Sequence, residues 1–275
     1  MGHRTALLAV VAALCAACVP YPNAPDGDNS SLVGQAVTGA YAGLGQGGKV
    51  VSSQHFKLAA YGDDAQKDSD IAEADYTQLT QDIGMVTFLP LAPYKVVVYA
   101  SQDEYLKKTG QPNWSIGVVA SDGSGSIYTY ASDRLPGTLS HLITQSVILE
   151  YLNQNLLDQQ RWLLAGLETY EEFKTLNRRG IYDGFTALLS SQPIPLDQLE
   201  NMYPPDERGY DVTLWFAESY GIVRWLIESG GKINFATFLS SVRDGKSFDE
   251  AVQSAYPGRW NSLQDVLSDW QRSLQ

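Results

Sequence analysis

Few residues of this chain have the chemistry of a metal ligand or general base at a spacing that would let them act together. In His141-Leu142-Ile143-Thr144-Gln145 the first and last residues stand four apart, so on a helix they share one face, one turn apart. Two imidazoles at that spacing can close on one Zn²⁺ with bonds of about 2.0–2.1 Å. A carboxylate between them would take a proton from the metal-bound water. Here Leu142 cannot accept a proton, and Gln145 is a poor zinc ligand. Downstream, Arg161-Trp162-Leu163-Leu164-Ala165-Gly166-Leu167-Glu168-Thr169-Tyr170 opens another helix. Ala165 offers nothing to a metal; Glu168, one turn on, is the acid best able to present a carboxylate. Glu150 and Glu218 are further acids of unassigned aim. Past the N-terminal segment the histidines are His55 and His141, so a zinc site of ordinary composition would need both. Each reads more simply as a hydrogen-bonded structural residue. Glu-rich helices are ordinarily solvated faces, which argues against Glu168 as a ligand.

Together the two stretches resemble the zinc-binding helix pair of a gluzincin, and the chain is similar to the peptidase MA-like domain family. The resemblance implies H-E-x-x-H on the first helix and W-L-x-E-G-L-A-x-Y on the second. On that pattern His141 matches the first ligand. Leu142 replaces the general base, Gln145 the second ligand and Ala165 the third, a Glu. Phe216-Ala217-Glu218-Ser219-Tyr220, Gly245-Lys246-Ser247-Phe248-Asp249-Glu250-Ala251 and Leu263 to Trp270 resemble later family motifs. The likeness therefore covers about Val50 to Leu274. Phe216 stands where the family carries Tyr, so a hydroxyl there is lost.

The resemblance implies an α+β, zincin-like (gluzincin) fold, with a small N-terminal β-sheet lobe packed on a C-terminal helical lobe and a cleft between. With His141, Leu142, Gln145 and Ala165 as vestigial positions, it implies an inactive relative of a zinc metallopeptidase. Such a protein needs no cofactor and has a binding or structural role, with a peptide or protein ligand in the cleft. The alternative is a divergent zinc-dependent peptidase with non-standard ligands, for which His141 and Glu168 are the candidates. Recovering a zinc site is expected to need Leu142→Glu, Gln145→His and Ala165→Glu together.

A net charge of −12 and a pI near 4.6 exclude the basic surface that nucleic-acid binding asks for. Residues 1–18 read as a signal peptide of lipoprotein type. Arg4 supplies the positive region and Ala6 to Leu14 the apolar one, too short for the roughly 20 residues that span a bilayer. Ala16-Ala17-Cys18 resembles a bacterial lipobox, with Cys15 where Leu is usual. Cys18 is then the lipidation site, and the protein is extracytoplasmic, held at the cell envelope by a membrane anchor; plain secretion is the alternative. Both cysteines lie in this segment, so the remaining chain forms no internal disulfide. Residues 19–48, rich in Pro, Gly, Asn, Asp and Ser, read as a flexible tether with a reach of roughly 30 Å. The resemblance implies a peptidase MA-like domain over residues 49–275.

The elements that must position these residues are legible from periodicity and punctuation. Strands are expected at Lys95–Ala100, Ile116–Ala120 and Ser126–Tyr130, the last two flanking the turn Asp122–Gly125, and the family resemblance implies an opening strand at Val50–Leu58. A helix at Asp70–Ile83 stops at Gly84, and another follows a Ser101/Glu104 capping box and stops at Gly110. Leu139, Ile143 and Val147 give the helix of His141 a core stripe, which Leu142 and Leu149 widen. The second half reads as helices at Trp162–Leu176, Phe185–Ser190, Tyr210–Glu228, Ile233–Arg243, a helix capped by Ser247 and Glu250, and Ser262–Leu274. Pro193–Leu199 reads as a short turn.

Overall fold

A computed structural model describes residues 40–152, 160–178, 186–201 and 210–275. It is an α+β structure with one five-stranded mixed sheet and, among the described residues, ten α-helices. These residues form two compact units: 40–77 with 89–150, and 78–88 with the described part of 151–275.

The sheet unit is ordered β1-β2-β3-β5-β4. β1 (Gly48–Ser52) and β2 (Phe56–Tyr61) are antiparallel, β2, β3 (Tyr94–Tyr99) and β5 (Ile127–Tyr130) are parallel, and β4 (Gly117–Val119) closes one edge antiparallel to β5. Parallel neighbours need crossovers. Helix α1 (Asp64–Asp82) links β2 to β3, and α2 (Gln102–Thr109) with β4 lies between β3 and β5. The uninterrupted Val96-Val97-Val98 run suits the middle strand, buried on both faces.

The expected strand Val50–Leu58 is two strands. The Ser53 N–H donates to Phe56 O at 2.9 Å, closing a turn, while the His55 N–H leaves the ladder for Glu73 Oε1 at 2.8 Å. No Gly or Pro marks that turn. Helix α1 begins at Asp64, earlier than expected, because its first turns are buried through small residues, Ala65, Ser69 and Ala72, that carry little hydrophobic signal. Ser101 caps α2 as expected, accepting from the Glu104 N–H at 3.2 Å, and Gly110 ends it in the left-handed region. The return half of the box is displaced by one residue: Glu104 Oε2 accepts from the Ala100 N–H at 3.0 Å.

Residues 40–47, within the range that composition assigns to the tether, pack on the sheet. Tyr41 and Leu44 are buried in a tyrosine-rich core with Tyr99, Tyr105 and Tyr128. Tyr128 Oη accepts from the Tyr41 N–H at 3.5 Å, Tyr61 Oη accepts from the Gly45 N–H at 2.9 Å, and the Tyr99 hydroxyl donates to Ala42 O. Helix α3 (Leu135–Leu152) follows β5.

The helical unit contains α4 (Arg161–Thr175), α5 (Thr186–Ser191), α6 (Leu196–Asn201), α7 (Tyr210–Arg224), α8 (Lys232–Arg243), α9 (Phe248–Ala255) and α10 (Leu263–Ser273). Its central pair is α4 against α7. They approach so closely that a Cβ on Gly166 would stand 2.5 Å from Ser219 O. Helix α9 carries the complete Ser247/Glu250 capping box, and α10 buries Leu263, Val266, Leu267 and Trp270 along one stripe.

Two expectations are corrected here. The stretch read as a short turn becomes α6, because Pro195 O accepts from the N–H groups of Gln198 and Leu199, both at 2.9 Å, and Pro suits a first helical turn. The α-helix expected to run to Glu228 ends at Arg224 and widens into a π turn over Trp225–Ser229. The Leu226 carbonyl, due in an α-helix to bond the Gly230 N–H, accepts instead from the Tyr256 hydroxyl at 3.2 Å. The Gly230 N–H turns to Trp225 O at 3.1 Å. No described helix is long and apolar enough to cross a membrane.

Candidate functional site

Helix α3 carries His141, Leu142, Gln145 and Glu150 in the sheet unit. His141 is buried, Leu142 is fully buried and Gln145 is half-buried. Leu142 fills the space over β4: a Cβ on Gly117 would overlap its Cδ1. The helix is tied down around it, since the Ser146 hydroxyl lies 3.0 Å from Leu142 O and 3.2 Å from Gly125 O. Thr144 Oγ1 donates to Ser140 O at 2.8 Å, along the helix rather than outward. The position that resembles a general base therefore holds an apolar side chain locked against strand backbone.

Glu150 is a structural carboxylate. It accepts from the Leu91 N–H at 2.7 Å and from the Tyr94 hydroxyl at 2.5 Å. Burial, and then the bond to Glu150, push the Tyr94 hydroxyl above the usual phenol range. His55 is engaged far from α3 in sequence. Its Nδ1 lies 2.7 Å from Glu73 Oε2, and its ring stacks on Tyr76 at 4.0 Å. Burial alone would raise the Glu73 carboxyl, but bonds from Ser53, the His55 backbone and the His55 ring hold it below its ordinary value.

The helical unit holds the remaining positions. Ala165 is buried on α4. Glu168, Glu171 and Glu172 on the same helix are also buried, which overturns the reading of this acidic run as a solvated face. Glu171 Oε2 accepts from Gln78 Nε2 at 2.9 Å, one reason a carboxylate can be kept there. Phe216 is fully buried and stands edge-on to Trp215, with ring centroids 5.0 Å apart. Glu218, on α7, is buried too. Its Oε2 accepts from the Ile194 N–H at 2.9 Å, while no bond reaches Oε1. Burial pushes its carboxyl up to about 7, against the lowering effect of that bond.

A buried ion-pair cluster also escaped sequence reasoning. Asp82, at the end of α1, is paired with Lys174 and, at 2.5 Å, with Lys232. Its partners lie roughly 90 and 150 residues along the chain, so no local pattern announces it.

Among the described residues, no three or more His, Cys, Asp or Glu side chains are grouped so as to hold a metal ion. Glu168 and Glu218 share the helical unit on packed helices, whereas His141, Gln145 and Glu150 share α3. Cys18 lies outside the described residues. In comparisons with known proteins, no family model and no curated protein matches this chain.

Proposed function

We propose that this chain is a metallopeptidase-like lipoprotein of the cell envelope that has lost catalysis and serves a binding or structural role. The observation that carries the reading is Leu142. In the likeness to the peptidase MA-like family it stands where a carboxylate would activate water, and it is buried against the backbone of Gly117. A carboxylate in that place would face strand backbone, and burying it unpaired is costly. Gln145 and Ala165, at the other positions of the motif, lack the imidazole and carboxylate that zinc hydrolysis uses. A peptide or protein is the natural ligand class for a peptidase-like domain that binds without cleaving.

The test is zinc titration of the purified chain with a peptidase assay alongside. The wild type should take up no stoichiometric zinc and release no product. Leu142→Glu should lower stability and confer no zinc binding, because its carboxylate would face the backbone of Gly117. Tight zinc binding or zinc-dependent cleavage by the wild type would overturn the reading.

A further inference from the structure

The segment Pro193–Pro195, helix α6 and helix α10 border a cavity of about 550 Å³ that lies wholly within the helical unit. That volume suits an organic ligand, since small-molecule sites run from roughly 300 to 1,000 Å³. Ile194 and Leu267 give the cavity apolar walls. Its charged lining is Asp197 and Glu200, its amides are Gln264 and Gln271, and no Lys or Arg lines it.

Glu200 is half-buried and held in place. Its carboxylate accepts from the Gln160 side-chain amide. Gln160 is itself fixed: the Trp162 indole N–H donates to its Oε1 at 2.9 Å, which leaves the NH₂ group for the carboxylate. Burial pushes the Glu200 carboxyl above its ordinary value against the Gln160 bond, and the charges of Asp249, on α9, and Asp197 push it further. Like charges around a half-buried carboxylate carry a cost that a bound cation would remove. A buried carboxylate is aimed at the same wall from behind. Glu218 is fully buried, its Oε2 accepts from the Ile194 N–H at 2.9 Å, and its Oε1 has no partner. An interior acceptor without a donor is costly, and a positive charge beside this wall would offset it.

The charge pattern selects the ligand. Among the described residues no three acids are grouped closely enough to hold a metal ion. Separated carboxylates beside apolar walls match instead a cation at the end of a hydrocarbon stem, which is how Arg and Lys side chains are built.

We propose that this cavity is a recognition pocket for a basic side chain of a peptide or protein ligand. The aliphatic stem lies on Ile194 and Leu267. The charged head meets Glu200 and Asp197, with the amide oxygens of Gln264 and Gln271 as further acceptors. The inference rests on the proposed binding role only in taking a peptide or protein as the ligand class.

The test is an NMR titration of the full chain with N-acetylarginine methylamide and with its citrulline analogue, which keeps the shape but carries no charge. The arginine probe should shift the Gln264 and Gln271 amides and the Trp162 indole N–H saturably at millimolar concentrations, and the citrulline probe should not. Glu200→Gln keeps an acceptor for Gln160 and should weaken binding by about fivefold or more. Gln264→Lys should abolish it; that residue is exposed on α10, so this variant stays folded whatever Glu200→Gln does to stability. Asp103→Asn, at an exposed position in the sheet unit, should change nothing. Absence of a saturable shift, equal shifts from the two probes, or an affinity unmoved by Glu200→Gln or Gln264→Lys would each overturn the pocket. The zinc titration decides the inactive-peptidase reading separately, because none of the pocket residues belongs to the degenerate motif.

Discussion

Leu142 and Gly117 are a matched pair: the leucine Cδ1 occupies the space that a side chain on Gly117 would need, so the strand has no Cβ there and the helix has no polar group. Gly117→Ala should cost about 1–3 kcal/mol by overpacking, and Leu142→Ala about 2–5 kcal/mol by leaving a cavity. Combined, the two should cost less than their sum, because the alanine methyl at 117 enters the space Leu142 vacates. Urea midpoints for the two single variants and the double variant check this; strict additivity counts against the pairing.

Glu218 should make stability depend on pH. Its carboxyl is pushed up to about 7 when folded, from 4.5, so the folded state binds the proton more tightly. That contribution is fully present below the unfolded value and is lost as pH rises from about 4.5 to about 7. A shift of this size corresponds to about 3 kcal/mol. Glu218→Gln keeps an acceptor for the Ile194 N–H and should flatten the profile, leaving the variant more stable than wild type at pH 8 and similar at pH 4.5. Burial also pushes Asp68 up to about 6, but it does so in both proteins, so the difference in slopes isolates Glu218.

The π turn rests on one hydroxyl. Tyr256→Phe frees the Leu226 carbonyl, which should then be available to the Gly230 N–H, and stability should fall by about 0.5–1.5 kcal/mol. Hydrogen exchange at the Gly230 and Gly231 amides reads the rearrangement. Unchanged protection at both would show that other packing sets the wider turn.

Cys18→Ala should convert a membrane-associated protein into one recovered from the aqueous phase by detergent partitioning, because that reports the loss of acyl chains rather than of surface contacts. A wild-type protein already in the aqueous phase, with an intact mass showing no acyl addition, would remove the anchor.

What could be read in the sequence was punctuation and periodicity. Ser101 and Gly110 bound a helix as they should, the Ser247/Glu250 box is complete, and Val96-Val97-Val98 is the central strand. What could not be read depends on distant partners. Tyr256 decides where α7 stops being an α-helix, 30 residues away. Glu73 takes the His55 N–H out of the ladder and so helps divide one expected strand into two. The acids of α4 resemble a solvated run until Gln78, 93 residues from Glu171, supplies a donor. At the candidate site, the absence of a carboxylate between His141 and Gln145 was legible from identity alone. What stands opposite that position, the bare backbone of Gly117, was not.

The tyrosine hydroxyls that hold residues 41–45 have a mechanical consequence. They come from Tyr61 on β2, Tyr99 on β3 and Tyr128 on β5, three neighbouring strands. Tension applied through the N-terminal chain is therefore distributed across the width of the sheet before it reaches β1. An edge strand pulled from one end unzips bond by bond under a small force. A segment pinned by several strands at once must be sheared loose, so this end of the domain is built to bear load.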